Sequence, residues 1–268
     1  MTGSVLLAFL RRDAAIQTSY RAALALEFVA TVFTLAMFFY LSRIVDTSEL
    51  SRKSGFDQGY FAFVLVGLAM LEIMHSGLTS LANRIRQDQT TGTLEALMAT
   101  PTGPSPVVLF SGAYDLLRAT ALGVAMIVIA EVAFGLGLKL DPASIGLSLL
   151  ALGACVLMFA PIGVLAAGFT IVFKQTRGFI ALLSQSFVLL AGAYVPLAIL
   201  PEPLHTIGEI LPFTWGLDAL RAALFEGRAE VGKLALLVGF TAALMPVALW
   251  VFNRALQRAR RDGSLAQY

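Results

Sequence analysis

Hydrophobic residues come along this chain in long unbroken stretches. They do not alternate as in a half-buried strand, and most do not keep to one helical face. Pro142 to Phe173, Gly178 to Pro201 and Leu234 to Asn253 carry no charge at all. A helix of about 20 apolar residues crosses the ~30 Å hydrocarbon core of a bilayer, so each stretch predicts a span. Three more stretches are apolar with a few interruptions. Leu24 to Val45 holds Glu27 and Arg43, Gly59 to Leu81 holds Glu72 and His75, and Val107 to Leu138 holds Asp115, Arg118 and Glu131. The pattern predicts an all-α integral membrane protein with six transmembrane helices, at about 24–45, 59–81, 107–138, 142–173, 178–200 and 233–252. Pro161 and Pro246 fall inside two of them and predict kinks. Gly163 and Ala167, four apart, permit close helix contact.

The ends read differently. Val5, Phe9, Ile16 and Tyr20 share one helical stripe, with Leu6 and Leu10 beside it and Arg12 and Asp13 interrupting it. Residues 1–23 therefore predict an amphipathic helix lying along the membrane surface. The apolar run Val5–Leu10 is too short for a signal-peptide core, and its arginines follow it. Residues 253–268 form a basic tail. With both ends in the cytoplasm, inner segments hold eleven lysines and arginines against seven outside, which sets the orientation.

Composition agrees. Of 268 residues, 58% are hydrophobic and 13% charged, about half the charge content of soluble domains. A net charge of +2 is too small for a nucleic-acid footprint. The single cysteine, Cys155, excludes an intrachain disulfide and a thiolate metal cluster, and the two histidines are far apart, so no metal site is expected.

Two segments are neither span nor plain loop. Between the second and third spans, Gly92 and Thr93 open a short helix, with Glu95 reaching back to its free amides. Leu94, Leu97 and Met98 form its apolar face, and Thr100-Pro101 ends it. That face fits docking on a partner protein, lying on lipid headgroups or packing on its own bundle. On the outer side, Gly192 to Gly227 is cut by Pro196, Pro201, Pro203 and Pro212 into pieces too apolar for water. These predict helices that re-enter the membrane without crossing it. Asp218 and Arg221 stand one turn apart and can pair.

These same segments resemble one known family. The run from Arg86 to Pro101, RQDQTTGTLEALMATP, approaches its ENxxxGTLExLxxTP-like string, and Leu211–Arg221 resembles the region before its last helix. The family is the ABC-2 type permease, the membrane subunit of type-2 ABC exporters. The resemblance implies a coupling helix between spans two and three that docks on a separate ATPase subunit. Leu94, Glu95, Leu97 and Met98 are the implied contacts, with Gly92 and Thr93 at the helix start and Arg84, Arg86 and Asp88 flanking. The inner turn Lys174–Arg177 is a second contact. It further implies two ATPase copies, a second permease of the same or a similar chain, membrane lipid as surroundings, and ATP with Mg²⁺ held by the partner. No cofactor is expected in this chain, and no nucleic acid. The expected location is the cell membrane. The expected cargo is an amphipathic small molecule, drug or lipid. A polysaccharide or glycolipid is the alternative, although that branch often enters its first helix with Leu-Gly-x-x-Trp, where this chain has Tyr20-Arg21-Ala22-Ala23-Leu24.

Nucleotide chemistry has no residues to rest on. Gly227 to Lys233 approaches a phosphate-binding loop, but Leu234 follows the lysine where a hydroxyl must meet Mg²⁺. Ionisable groups inside spans are costly and mark transport paths or interhelical pairs. Glu72, His75 and Glu131 are the candidates for a translocation path. In a reading of another class they are acid–base groups of a membrane-embedded enzyme, which requires them to converge. Asp115 and Arg118, at i and i+3, are expected to neutralise one another.

Overall fold

The computed structural model describes residues 2–18, 21–44, 56, 58–93, 104–173 and 177–261, and among them every regular element is helical. The helices are α1 (Thr2–Thr18), α2 (Arg21–Ser42), α3 (Gly59–Thr90), α4 (Pro104–Ser111), α5 (Ala113–Phe134), α6 (Pro142–Phe173), α7 (Arg177–Leu190), α8 (Glu202–Ile210), α9 (Pro212–Arg221) and α10 (Val231–Arg261). A 3₁₀ turn at Leu197–Ile199 precedes α8, and a π turn at Ala222–Glu226 follows α9.

Among the described residues, five segments are long and apolar enough to cross a membrane: Leu24–Ser42, Gly59–Thr90, Ser105–Phe134, Pro142–Phe173 and Val231–Arg261. The fifth apolar run in the sequence behaves differently. Expected as one span over 178–200, it is helical only through Leu190, so α7 has 14 residues and measures ~21 Å. Gly192 takes a left-handed φ of +74° and Pro196 follows, and neither continues a helix. The run expected over 107–138 likewise stops at Phe134, where Gly135 donates its N–H to the Glu131 carbonyl.

α3 is the axis of the bundle. In its membrane-crossing window 83% of residues are buried, against 11% for α2 and 11% for α10. It packs along α6 on one side and α5 on another, and α10 packs along the far face of α6. The α3–α6 contact is backbone-close. A Cβ at Gly163 would stand 2.4 Å from the Gly77 carbonyl oxygen, so only glycine permits this approach. Around it, Met70, Met74, Leu78, Met158 and Phe159 interlock in one cluster with Phe213 and Leu217 of α9. The outward faces of α2 and α10 remain apolar and exposed, with Phe28, Phe33, Met37, Val238, Val247 and Trp250 among them. In a membrane such faces meet lipid or another subunit.

α6 and α10 stay helical through Pro161 and Pro246. One expectation changes in detail. α1 is not only a surface helix: Leu6 and Leu10 line a cavity of about 240 Å³ with Leu81, Leu109 and Phe159. Asp13, which interrupts the apolar stripe in the sequence, is fully buried.

The close contact makes a specific prediction. Gly163→Ala forces α3 and α6 apart and lowers stability by about 1–3 kcal/mol, the usual cost of overpacking. Gly153→Ala lies on the same helix with nothing within 4 Å of its added Cβ and is expected to be neutral. Thermal unfolding of the purified variants in detergent compares the two; equal midpoints would show that the contact is loose.

Candidate functional site

Glu72, His75, Thr79, Asn83 and Gln87 recur every three or four residues along α3 and therefore share one face. Glu72, His75, Asn83 and Gln87 are exposed, while Ile73, Met74, Leu78 and Leu81 on the other faces are buried. The stripe forms one wall of a cleft of about 590 Å³. Glu27 of α2 and Asp115, Arg118, Ala119 and Leu122 of α5 line the rest, with Arg84 at the inner side.

The charges of the cleft are tied across helices. Arg118 Nη1 donates to Glu27 Oε2, joining α5 to α2. Arg84 Nε donates to Asp115 Oδ2 at 3.3 Å. The Arg84 Nη2 lies 3.4 Å from Asp13 Oδ2, and Arg12 Nε donates to the other oxygen of Asp13 at 2.8 Å. The i, i+3 spacing predicts that Asp115 and Arg118 pair with each other, and they do not. Each faces an opposite charge on another helix. Isolated ions at this depth cost ~2.5–3.5 kcal/mol apiece on insertion scales, so Glu27 and Arg118 gain more from meeting one another than from facing hydrocarbon singly. Glu27 and Asp13 are the charged partners that periodicity missed; the signal for Glu27 was an acid inside an otherwise apolar run.

Glu72 and His75 share the cleft as the sequence predicts. Among the described residues Glu72 accepts no hydrogen bond and has no ion pair; His75, Glu27 and Arg118 are its titratable neighbours in electrostatic range. Glu131 does not join them. Its Oε2 accepts from the N–H of Leu136 at 3.0 Å and of Leu138 at 3.4 Å, which ties down the turn after α5. It lies thirteen residues, ~20 Å along the helix, from Arg118. The three groups that a membrane-embedded enzyme would need do not converge.

The expected ATPase-facing residues lie at and beyond the C-terminal end of α3. Arg84 turns into the cleft, and Arg86 is half-buried. Asp88 Oδ1 accepts from Thr93 Oγ1 at 3.1 Å. Gly92 closes α3, with φ of +71° and its N–H donating to the Gln89 carbonyl, and the short helix expected after it lies outside the described residues. Leu94, Glu95, Leu97, Met98 and Lys174 lie outside the described residues, and Arg177 is the first residue of α7.

The prolines of the outer segment act as helix starters. Pro196 precedes the 3₁₀ turn, Pro201 precedes α8 with Pro203 in its first turn, and Pro212 opens α9. Thr214 Oγ1 donates to the Gly208 carbonyl at 2.6 Å, and Trp215 Nε1 to the Glu209 carbonyl at 2.7 Å, folding α9 back on α8. Arg221 anchors the unit to the bundle. Its Nη2 donates to the carbonyls of Phe63 on α3 and of Gly192, each at 3.0 Å, and its guanidinium lies 3.6 Å over the Phe63 ring. Asp218 stands 4.0 Å from Arg221 but accepts from Lys233 Nζ at 2.8 Å, so α10 supplies its main partner.

The Glu27–Arg118 pair yields a cycle. Arg118→Leu alone strands Glu27 and lowers the thermal midpoint. Adding Glu27→Leu restores part of the loss, with a coupling energy of about 0.5–3 kcal/mol. Additive losses in thermal unfolding would mean that the two side chains act independently.

No curated protein matches the chain. A family model described as ABC-2 type transporter matches residues 6–225, which takes in α1, the cleft, the inner end of α3 and the outer unit through α9. The chain belongs to the ABC-2 type transporter family, as a multi-pass membrane permease subunit.

Proposed function

We propose that this chain is the membrane half of an ATP-driven exporter of the cell membrane. The carrying observation is the ABC-2 match over residues 6–225 of an all-helical bundle with five membrane-length helices. In this reading α7 serves as the sixth crossing, completed on the outer side by the turn, α8 and α9. Both ends lie in the cytoplasm. Two permease chains pair, and two ATPase subunits dock beneath them and hold the ATP and Mg²⁺.

The segment after Gly92 is the docking element. Leu94, Leu97 and Met98 enter a cleft of the ATPase, Glu95 caps the helix, and Arg84, Arg86 and Asp88 lie behind them. Lys174 and Arg177 form the smaller contact. Nucleotide-driven closure of the ATPases is passed to α3, which ends beside this element and carries the polar stripe of the cleft. The cargo is an amphipathic small molecule, drug or lipid that enters the cleft from the inner side.

The experiment is copurification of a tagged ATPase partner with the permease in detergent. The wild-type chain is expected to recover the ATPase and to hydrolyse no ATP by itself. Leu97→Asp is expected to leave the permease folded and to lower ATPase recovery at least tenfold, because a carboxylate buried without a partner costs several kcal/mol and each 1.4 kcal/mol is tenfold. Full recovery with Leu97→Asp would overturn the docking assignment. ATP hydrolysis by the permease alone would overturn the division of labour.

A further inference from the structure

We propose that the cleft beside α3 binds the charged head of an amphipathic organic cation, with Glu72 as its counter-ion. The proposal rests on the permease reading and adds the sign of the cargo's charge. The walls of the cleft carry three carboxylates, Glu27, Glu72 and Asp115, two guanidiniums, Arg84 and Arg118, and the imidazole of His75, which makes no ion pair with Glu72. Each guanidinium already faces a carboxylate, although Arg118 Nε keeps no hydrogen-bond partner among the described residues. Arg118 holds Glu27, while Arg84 holds Asp115 at 3.3 Å and Asp13 at 3.4 Å. Glu72 is left over, exposed into the cleft, without a hydrogen bond or ion pair among the described residues.

Its depth makes that surplus consequential. Glu72 lies thirteen residues from Gly59, ~20 Å below the outer end of α3, where a bare carboxylate is unfavourable and a cation that meets it is favoured. An anion would be repelled there, and a neutral ligand would leave the carboxylate unpaired. An inorganic divalent ion needs several hard oxygen ligands, yet no group of three or more His, Cys, Asp or Glu suited to a metal occurs among the described residues. The volume of about 590 Å³ falls in the ~300–1,000 Å³ range of small-molecule sites. Ala119 and Leu122 give the cleft an apolar wall opposite the stripe. Thr79, Asn83 and Gln87 extend the polar face toward the inner end of α3, a route by which a charged head reaches Glu72 without crossing bare hydrocarbon.

Two probes of one shape and opposite charge test this. Binding of tetraphenylphosphonium and of tetraphenylborate is measured on the full chain in lipid nanodiscs, each corrected for empty nanodiscs. The expected result is saturable binding of tetraphenylphosphonium and none of tetraphenylborate. Glu72→Gln is expected to weaken the cation tenfold or more, and Glu72→Asp to retain most of the affinity. Equal binding of the two probes, no saturable binding of the cation, or unchanged affinity in Glu72→Gln would overturn the proposal. The comparison of the two probes on the wild-type chain stands whether or not the variants fold. ATPase recovery by the same wild-type preparation separates the outcomes. Recovery without cation binding removes this inference alone, and cation binding without recovery removes the exporter reading alone.

Discussion

The guanidinium of Arg84 reaches two carboxylates on two different helices, Asp13 of α1 and Asp115 of α5. Much of the inner half of the molecule follows from that fork. It holds Asp13 buried against the bundle, on the helix whose Leu6 and Leu10 line the cavity beside Leu81 and Phe159. It also fixes the face that α5 shows to α3, and with it the position of Arg118 opposite Glu27. Low dielectric makes each such pair strong and each unpaired member costly. The helices are therefore held by matched charges on one side of α3 and by glycine-mediated backbone contact on the other.

The positions of most spans were legible in the chain because hydrocarbon imposes a length and a composition that few other environments impose. The N-terminal helix and the broken outer segment were legible for related reasons: an apolar stripe is one-faced, and proline cannot continue a helix but starts one readily. What failed was partner choice. Asp115 and Arg118 looked like a pair because the spacing i, i+3 is local, yet the competing partners Arg84 and Glu27 stand on other helices, and sequence distance says nothing about them. Asp218 met Lys233 more closely than Arg221 for the same reason. Glu131 shows a use that hydropathy does not register: an acid near the end of a helix accepts from free amides of the turn beyond. The length of α7 was misjudged because apolar residues after Leu190 continue the hydrophobic signal while Gly192 and Pro196 end the helix.

Around α8 and α9, satisfaction of backbone carbonyls replaces charge pairing as the organising demand. A helix broken into short pieces leaves carbonyls without intrahelical partners. Arg221 answers two of them, one at Phe63 and one at Gly192, and Thr214 and Trp215 answer those of Gly208 and Glu209. Packing is equally close here: a Cβ on Gly67 would lie 2.1 Å from the Ala193 carbonyl oxygen.

That anchorage gives α3 a mechanical character. Gln87, near its inner end, and Phe63, where Arg221 grips it, are twenty-four residues apart, ~36 Å on one unbroken helix. A rod of that length tilted by 10° about either end displaces the other by ~6 Å, more than the diameter of a water molecule. Arg221 and the close approach of Ala193 to Gly67 fix the α8–α9 unit to the same rod, so one unbroken helix joins that unit to the Arg84 fork with no hinge between them.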